Sequence, residues 1–381
     1  MRYLLLLLLS LLGTAVLAQV KSDGLRVTFR LHAPSLPDTA QVYLTGSTPE
    51  LGEWNPARVL LDYNGDKTWT KTLQLQDSAV QYKYTLGSWE RQGTDTNGQP
   101  LPNFSISIHK DTIVTDEVQY WLEQRGRKVT GGVTGELRYH RDVAGKGLQN
   151  RDLVVWLPPG YEHGKKRYPV LYMHDGQNIF DPATSSFGVD WQVDETADSL
   201  IRKGEIAPVI IVGINNTADR MEEYTPGEKG TAYMDFVLHT VKPLIDQTYR
   251  TKPGPKHTLV GGSSAGGTIS FMLAWEHPDV FSKAICMSPA FQIMHIDYVQ
   301  EVQNYAGEKK KLFLYIDNGG IELEAKLQPG IDAMLQALQQ KGYRPGKDYY
   351  WVKDPKAPHF ESAWAKRMPL ALKLCLGRKG K

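Results

Sequence analysis

Cysteine is almost missing from this chain: Cys286 and Cys375 are the only two in 381 residues. A disulfide framework and a thiolate metal centre are thereby excluded as organising devices. Each of the two lies in an apolar stretch, so two separate buried thiols are expected. A dominant charge is missing too. Lys plus Arg number 44 against 42 for Asp plus Glu. No basic run is long enough to track a phosphate backbone, so nucleic acid is not an expected partner. The short run Lys309 to Lys311 reads as a solvated turn ahead of a strand. No Cys or His pair has metal-ligand spacing and no HExxH occurs, so neither a metal nor a cofactor is expected. Internal repeats and low-complexity tracts are absent. Beyond the first residues, no stretch has the roughly 18 unbroken apolar residues of a membrane-spanning helix.

What is present begins with the N-terminus. Arg2 precedes an apolar run from Tyr3 to Leu12, and Val16 and Ala18 stand three and one residues before a cleavage point at Gln19. A basic tip, a short apolar centre and small residues at the cut make residues 1–18 an expected signal peptide. The protein is therefore expected to be exported, to a periplasm or to the outside of the cell, with no stable membrane insertion after cleavage. Hydrophobic residues make up 41% of the chain, enough for more than one core at this length.

Two regions follow with different grammar. Residues 24–118 hold short β-type runs: Arg26 to Leu31, Gln41 to Thr45, Trp69 to Leu75, Val80 to Leu86 and Ser105 to His109. Turn material such as Asp62-Tyr63-Asn64-Gly65-Asp66 divides them, and no helical period intervenes, which predicts a small all-β sandwich. Residues 119–135, charged and then Gly-rich, read as a linker. Over residues 136–378 buried-strand runs (Leu153 to Leu157, Pro169 to Met173, Pro208 to Val212, His257 to Val260, Ser282 to Met287, Leu312 to Ile316, Tyr349 to Val352) alternate with helical segments (Met234 to Tyr249, Ala265 to Glu276, Leu327 to Lys341, Glu361 to Leu376). That alternation predicts a mostly parallel sheet with helices on both faces and a site at the carboxyl ends of its strands.

One turn in this second region carries chemistry. Gly262-Ser263-Ser264-Ala265-Gly266 fits G-x-S-x-G, with an apolar strand before it and a helix after it. Side chains two positions either side of the serine would clash with its sharp turn, so glycine is required there. Ser264 is the expected nucleophile. The N–H of Ala265, at the helix start beneath it, is placed to hold an oxyanion. No Lys follows as in a phosphate loop. A serine nucleophile needs a base, and the base needs a carboxylate, in the chain order Ser, acid, His. Of the three histidines beyond Ser264, His277 ends a helix and His295 has no strand ahead of it. His359 lies in a loop just past the last strand and is the expected base. For the acid, Asp317, Glu322 and Glu324 all follow the strand Leu312 to Ile316, and all three remain open. A second oxyanion donor is expected from the loop after Pro169 to Met173.

With these residues in view, the second region resembles the esterase family that includes esterase D, feruloyl and acetylxylan esterases, enterochelin esterases and mycolyltransferases. The resemblance rests on Leu157-Pro-Pro-Gly-Tyr161, Tyr168-Pro-Val-Leu-Tyr-Met-His-Asp-Gly-Gln-Asn178, the Gly262 to Gly266 turn and Pro358-His359-Phe360. It implies an α/β-hydrolase fold and a carboxylesterase with a Ser264–His359 pair. Its Gly-x-x-Glu pattern, matched by Gly319 to Glu322, favours Glu322 as the acid. It also implies the Gln177 N–H as the second oxyanion donor. The first region resembles a family 20, starch-binding carbohydrate-binding module, through Val42-Tyr-Leu-Thr-Gly46, Leu51-Gly-Glu-Trp54, Thr68-Trp69, Tyr82-Lys-Tyr84 and Trp89-Glu90. By that resemblance Trp54, Lys83 and Trp89 form a sugar site, because flat aromatic faces stack on sugar rings and a long donor reaches hydroxyls, while Trp69 is core.

The expected function is thus an exported serine carboxylesterase acting on an acyl ester, carried by a polysaccharide or oligosaccharide. A siderophore esterase and an acyltransferase are alternatives on the same scaffold. A glycan-binding protein without catalysis is the remote one, since every member of the triad has a candidate.

Overall fold

The computed structural model describes residues 24–94, 100–122, 132–186 and 188–377. The expected signal peptide and most of the expected linker lie outside these residues. The chain divides into two compact units, Met1–Leu122 and Glu123–Lys381.

The first unit contains β1 (Leu25–His32), β2 (Tyr43–Gly46), β3 (Val59–Leu60), β4 (Asp62–Tyr63), β5 (Thr68–Leu75), β6 (Ala79–Thr85), β7 (Gly93–Thr94), β8 (Phe104–Ser107), β9 (Thr112–Glu117) and β10 (Tyr120–Trp121). They form two four-stranded sheets, ordered β4-β5-β1-β9 and β3-β2-β6-β8, with a small β10-β7 pair. Alternation fixes the register. Val27, Phe29 and Leu31 of β1 face inward with Val80, Tyr82 and Tyr84 of β6, into one core that also holds Trp69. Tyr82 and Tyr84 both donate their hydroxyls to Asp116 at 2.8 Å, which satisfies their polar ends inside that core. Strand β9, which the sequence reading passed over, pairs in parallel with β1. The pairing of Tyr120–Trp121 with Gly93–Thr94 likewise moves the start of the linker past Trp121.

The second unit is built on one eight-stranded sheet: β11 (Glu136–Val143), β12 (Arg151–Leu157), β13 (Val170–His174), β14 (Ile210–Ile214), β15 (Thr258–Ser263), β16 (Lys283–Met287), β19 (Phe313–Asn318) and β20 (Tyr349–Lys353), in the order β11-β12-β14-β13-β15-β16-β19-β20. Short strands β17 (Gln292–Ile293) and β18 (Ile296–Asp297) form a separate hairpin. From β14 to β20 the strands are parallel, and β11 and β12 run antiparallel at one edge. Helices α1 (Val193–Arg202), α2 (Arg220–Glu223), α3 (Glu228–Phe236), α4 (Lys242–Thr248), α5 (Ala265–Glu276), α6 (Val299–Asn304), α7 (Leu323–Gln340) and α8 (Glu361–Leu376) accompany it. A π-type turn, Val237–Val241, joins α3 to α4.

The inner strands of the sheet, β12, β13, β14, β15, β16 and β19, are covered on both faces and read as largely apolar runs. Tyr172, Val260 and Ile316 enter one core with Ile269 of α5 and Ile331 of α7. Their sequence neighbours Leu171, Leu259 and Tyr315 enter a second core with Leu200 of α1 and Met368 of α8. This is the expected α/β-hydrolase architecture. Cys286 and Cys375 are free, buried thiols. Among the described residues no helix is long and apolar enough to cross a membrane.

Candidate active site

Strand β15 is buried along its length and ends at Ser263, and α5 begins at Ala265. Ser264 joins them at φ 56°, ψ −128°, a sparsely populated conformation that costs on the order of 1–3 kcal/mol for a non-glycine residue. Its N–H donates to the Met287 carbonyl at 2.9 Å, and its own carbonyl accepts from Gly267 and Thr268 of α5. The turn closes because residue 262 is glycine: a Cβ there would lie 2.7 Å from the Gly266 carbonyl oxygen. Ser264 is half-buried, and the N–H of Ala265 opens the helix beside it.

His359 follows β20, two strands along the sheet from β16. The carboxylate that meets it is Glu324, not Glu322. Glu324 Oε1 lies 3.5 Å from His359 Nδ1, and Glu324 is 0% exposed. That separation is an ion-pair distance, longer than a closed hydrogen bond. Burial opposes charge on Glu324, but His359 and the Ser288 hydroxyl outweigh it and hold the carboxyl below its ordinary range.

Glu322 is exposed and caps α7 at φ 55°. The physical reason for the difference lies in the two glycines before it. Gly320 and Ile321 donate their N–H groups to the Ala357 carbonyl, which draws the His359 loop against this turn. A Cβ on Gly319 would come 2.3 Å from that same carbonyl oxygen. The glycines thus serve the approach of the two loops, and the carboxylate that faces His359 comes two residues after Glu322, in the first turn of α7. Glu324, Leu327, Ile331, Met334 and Leu338 share the buried face of that helix.

Behind Glu324 is a polar network that the sequence reading missed. The buried Ser288 hydroxyl donates to Glu324 Oε1 at 2.7 Å and accepts from Trp364 Nε1 at 3.1 Å and Arg367 Nη2 at 2.9 Å. One donor and both lone pairs are thereby used. Arg367 pairs through Nε with Asp317 at 3.0 Å, and Tyr315 donates to the same carboxylate at 2.9 Å. Asp317 is thus a buried support two side chains away from His359, and burial pushes it up to about 6. The Trp364 ring meets the His359 ring edge-on at 4.9 Å.

Gln177 sits in the turn Gly176–Asn178 after β13. Its carbonyl accepts from the Thr184 hydroxyl and its side-chain oxygen from the Asn216 N–H, which fixes its backbone. The preceding Asp175 is clamped by Arg220 through two bonds of 2.7 Å and by Asn216 at 2.5 Å. His174 is fully buried beside Tyr233 at 2.8 Å, and burial drives its pKa down to about 3, so it stays neutral. Asn216 and Arg220 follow β14 at its carboxyl end, the one signal that marks such residues in advance. Trp191 is buried against Trp364 at 5.2 Å.

A family model described as "Putative esterase" matches residues 148–376, more than half the chain. The chain belongs to that esterase family. A model of the starch binding domain matches residues 24–117. The uncharacterized protein YjcH of Bacillus subtilis is 30% identical over 183 residues, 47% of this chain and 70% of that protein. An α-amylase of Niallia circulans is 37% identical over 117 residues, 29% of this chain and 9% of the amylase. An endo-1,4-β-xylanase/feruloyl esterase of Xylanibacter ruminicola is 25% identical over 170 residues, 43% of this chain and 20% of that enzyme. The chain therefore spans well under two thirds of these last two relatives. Among solved structures, a ferulic acid esterase superposes with a TM-score of 0.53 at 22% identity, covering 64% of this chain and 98% of that one. The enterobactin esterase of Shigella flexneri does so at 0.51 and 13%, covering 91% and 92%. These are likenesses of fold. The esterase domain over residues 148–376 is a carboxylic ester hydrolase domain, and the preceding β-sandwich is a starch-binding-type module.

In that module Trp54 and Trp89 are half-buried and Trp69 is core. The Trp54 N–H donates to Gly46 of β2, whose neighbour Thr45 pairs with Lys83 of β6. Lys83 Nζ donates to Gln92 at 3.0 Å, and Gln92 in turn donates to the Trp89 carbonyl at 3.0 Å. The three expected sugar-binding residues thus arise from adjoining stretches of backbone.

Proposed function

We propose that this chain is an exported serine esterase that hydrolyses an acyl ester on a carbohydrate, with the starch-binding-type module engaging the glycan. Ser264 Oγ attacks the acyl carbon and His359 takes its proton. The N–H groups of Gln177 and Ala265 hold the oxyanion, and His359 returns the proton to the leaving alcohol. Water then repeats the cycle on the acyl-enzyme. Glu324 orients the imidazole, stabilises its cationic form and takes the role that the resemblance gave to Glu322. The observation that carries this reading is the strained Ser264 turn on β15 together with the buried Glu324 against His359. Residues 1–18 carry the export, as a cleaved signal peptide.

The test is hydrolysis of p-nitrophenyl acetate by the mature protein and by Ser264→Ala. The variant should lose roughly a thousandfold or more of kcat/KM, since the base then has no nucleophile to activate. Equal turnover by the two proteins would sink the serine mechanism. A siderophore ester is the second reading, motivated by the fold likeness to the enterobactin esterase over 91% of this chain. Turnover of a cyclic catecholate ester, with none of an acylated oligosaccharide, would favour it.

A further inference from the structure

Three carboxylates outside the reaction machinery converge at the start of α1. One oxygen from each of Asp190, Asp194 and Glu195 lies within 4.8 Å of one from each of the others. Asp194 is 0% exposed, yet its Oδ1 has no hydrogen-bond partner, and neither does the buried Oε2 of Glu195. Two backbone groups reach the cluster: Thr134 N–H donates to Asp194 Oδ2 at 2.6 Å and Gln192 N–H to Asp190 Oδ2 at 3.0 Å. Among the described residues no Lys, Arg or His pairs with any of the three. Two buried carboxylate oxygens left without a donor are costly in a protein interior and call for a proton or a cation between them.

We propose that Asp190, Asp194 and Glu195 bind a divalent, oxygen-seeking cation of the Ca2+ class. Hard cations take carboxylate oxygens, and oxygens at about 2.3–2.6 Å from a shared Ca2+ lie at most about 5 Å apart, which the observed clustering satisfies. A cation would occupy both unpartnered oxygens. The place is also structurally apt. Trp191 and Val193 donate their N–H groups to the Asn178 and Ile179 carbonyls, so the ion would brace the turn that carries Gln177. Asp194 additionally ties down Thr134, whose carbonyl receives Trp156 Nε1 at the edge of the sheet. A search for Cys and His spacing does not see a site made only of carboxylates.

The test uses the full mature chain stripped with EDTA. Tb3+ serves as a luminescent stand-in for Ca2+, excited through Trp191, the residue next to Asp190. Saturable Tb3+ emission that Ca2+ displaces is expected, with affinity lowered about tenfold or more in Glu195→Gln and in Asp190→Asn, since each removes one ligand charge. Ca2+ should also raise the melting temperature of the stripped wild-type protein, by binding the folded state alone. That second reading does not depend on how either variant folds. Tb3+ emission that both variants retain in full, or a wild-type melting temperature indifferent to Ca2+ and to EDTA, would overturn the proposal. Asp194 and Glu195 would then share a proton in place of a cation.

Discussion

The two units bury different things. The β-sandwich keeps its charge outside: its core is aliphatic and aromatic, its buried polar residues are uncharged (Thr45, Thr48, Thr85, Gln92, Thr94), and the half-buried Asp116 receives the hydroxyls of Tyr82 and Tyr84 at its edge. Its expected working surfaces, Trp54 and Trp89, are half-exposed aromatics. The esterase domain does the reverse. Its inner strands are buried on both faces, and at their carboxyl ends it carries Asp175, Arg220, Asp317, Glu324, Ser288 and Arg367 into the interior or to its edge. Stacking on a sugar needs open flat surface and little electrostatics. Acyl transfer needs oriented charge where water cannot screen it, and that charge must be compensated side chain by side chain.

The comparison breaks most sharply at Glu324. Glu324→Gln keeps the shape but removes the charge that orients and stabilises protonated His359. It should lower kcat roughly a thousandfold on a simple ester, whereas Glu322→Gln should stay within about twofold of wild type. The pH profile supplies a second readout. Because His359 and Ser288 hold the Glu324 carboxyl below its ordinary range, protonation of Glu324 should not set the acid limb of the wild-type activity profile. A loss of activity confined to Glu322→Gln would restore that residue as the acid.

How much of this was legible in the sequence differs between the two units for related reasons. Ser264 and His359 stood out as candidates because local chain geometry marks such positions: a glycine-flanked turn between strand and helix, and a loop directly after the last strand. The carboxylate that faces His359 did not, because Asp317, Glu322 and Glu324 fall within eight residues at and after the end of β19, and helical phase is what separates the last two. Beginning α7 at Leu327 hid that phase; carried back one turn, the apolar face of Leu327, Ile331 and Met334 runs into Glu324. The supporting network was illegible because Ser288, Asp317 and Arg367 come from three elements and carry no common spacing. In the sandwich, β9 escaped notice because its pattern is half-buried on an edge, with Ile113 exposed.

Glu361 tests the rule that buried charge in the esterase domain is compensated. It is 3% exposed at the start of α8, and its Oε2 has no hydrogen-bond partner. Burial pushes it up to about 8, with the Asp175 carboxylate adding to the effect. A carboxyl held protonated by the fold binds more protons folded than unfolded between its ordinary value and about 8, so stability falls as pH rises through that window. Glu361→Gln should therefore leave stability at pH 5 nearly unchanged and raise it by about 2 kcal/mol at pH 8.5 relative to wild type, a fraction of the full linkage. Urea unfolding at the two pH values reads this directly. An equal change at both would mean that Glu361 acts through packing alone.

The smallest effect sharpens the comparison from the other side. If the sandwich works through exposed aromatic surface, Trp54→Ala and Trp89→Ala should each weaken binding to a soluble α-glucan about tenfold, the loss of one stacked ring. Neither should change p-nitrophenyl acetate turnover by more than about twofold, because neither residue belongs to the esterase domain. Trp69 is the control, since its ring is 1% exposed and its Nε1 donates to the Ala40 carbonyl. Trp69→Ala should unfold or loosen the sandwich, and glycan binding should go with the near-ultraviolet signature of the packed core. Binding lost in Trp54→Ala and Trp89→Ala with that signature intact assigns the glycan to those two rings. Binding unaffected by both would turn them into packing residues and leave the sandwich without its expected sugar site.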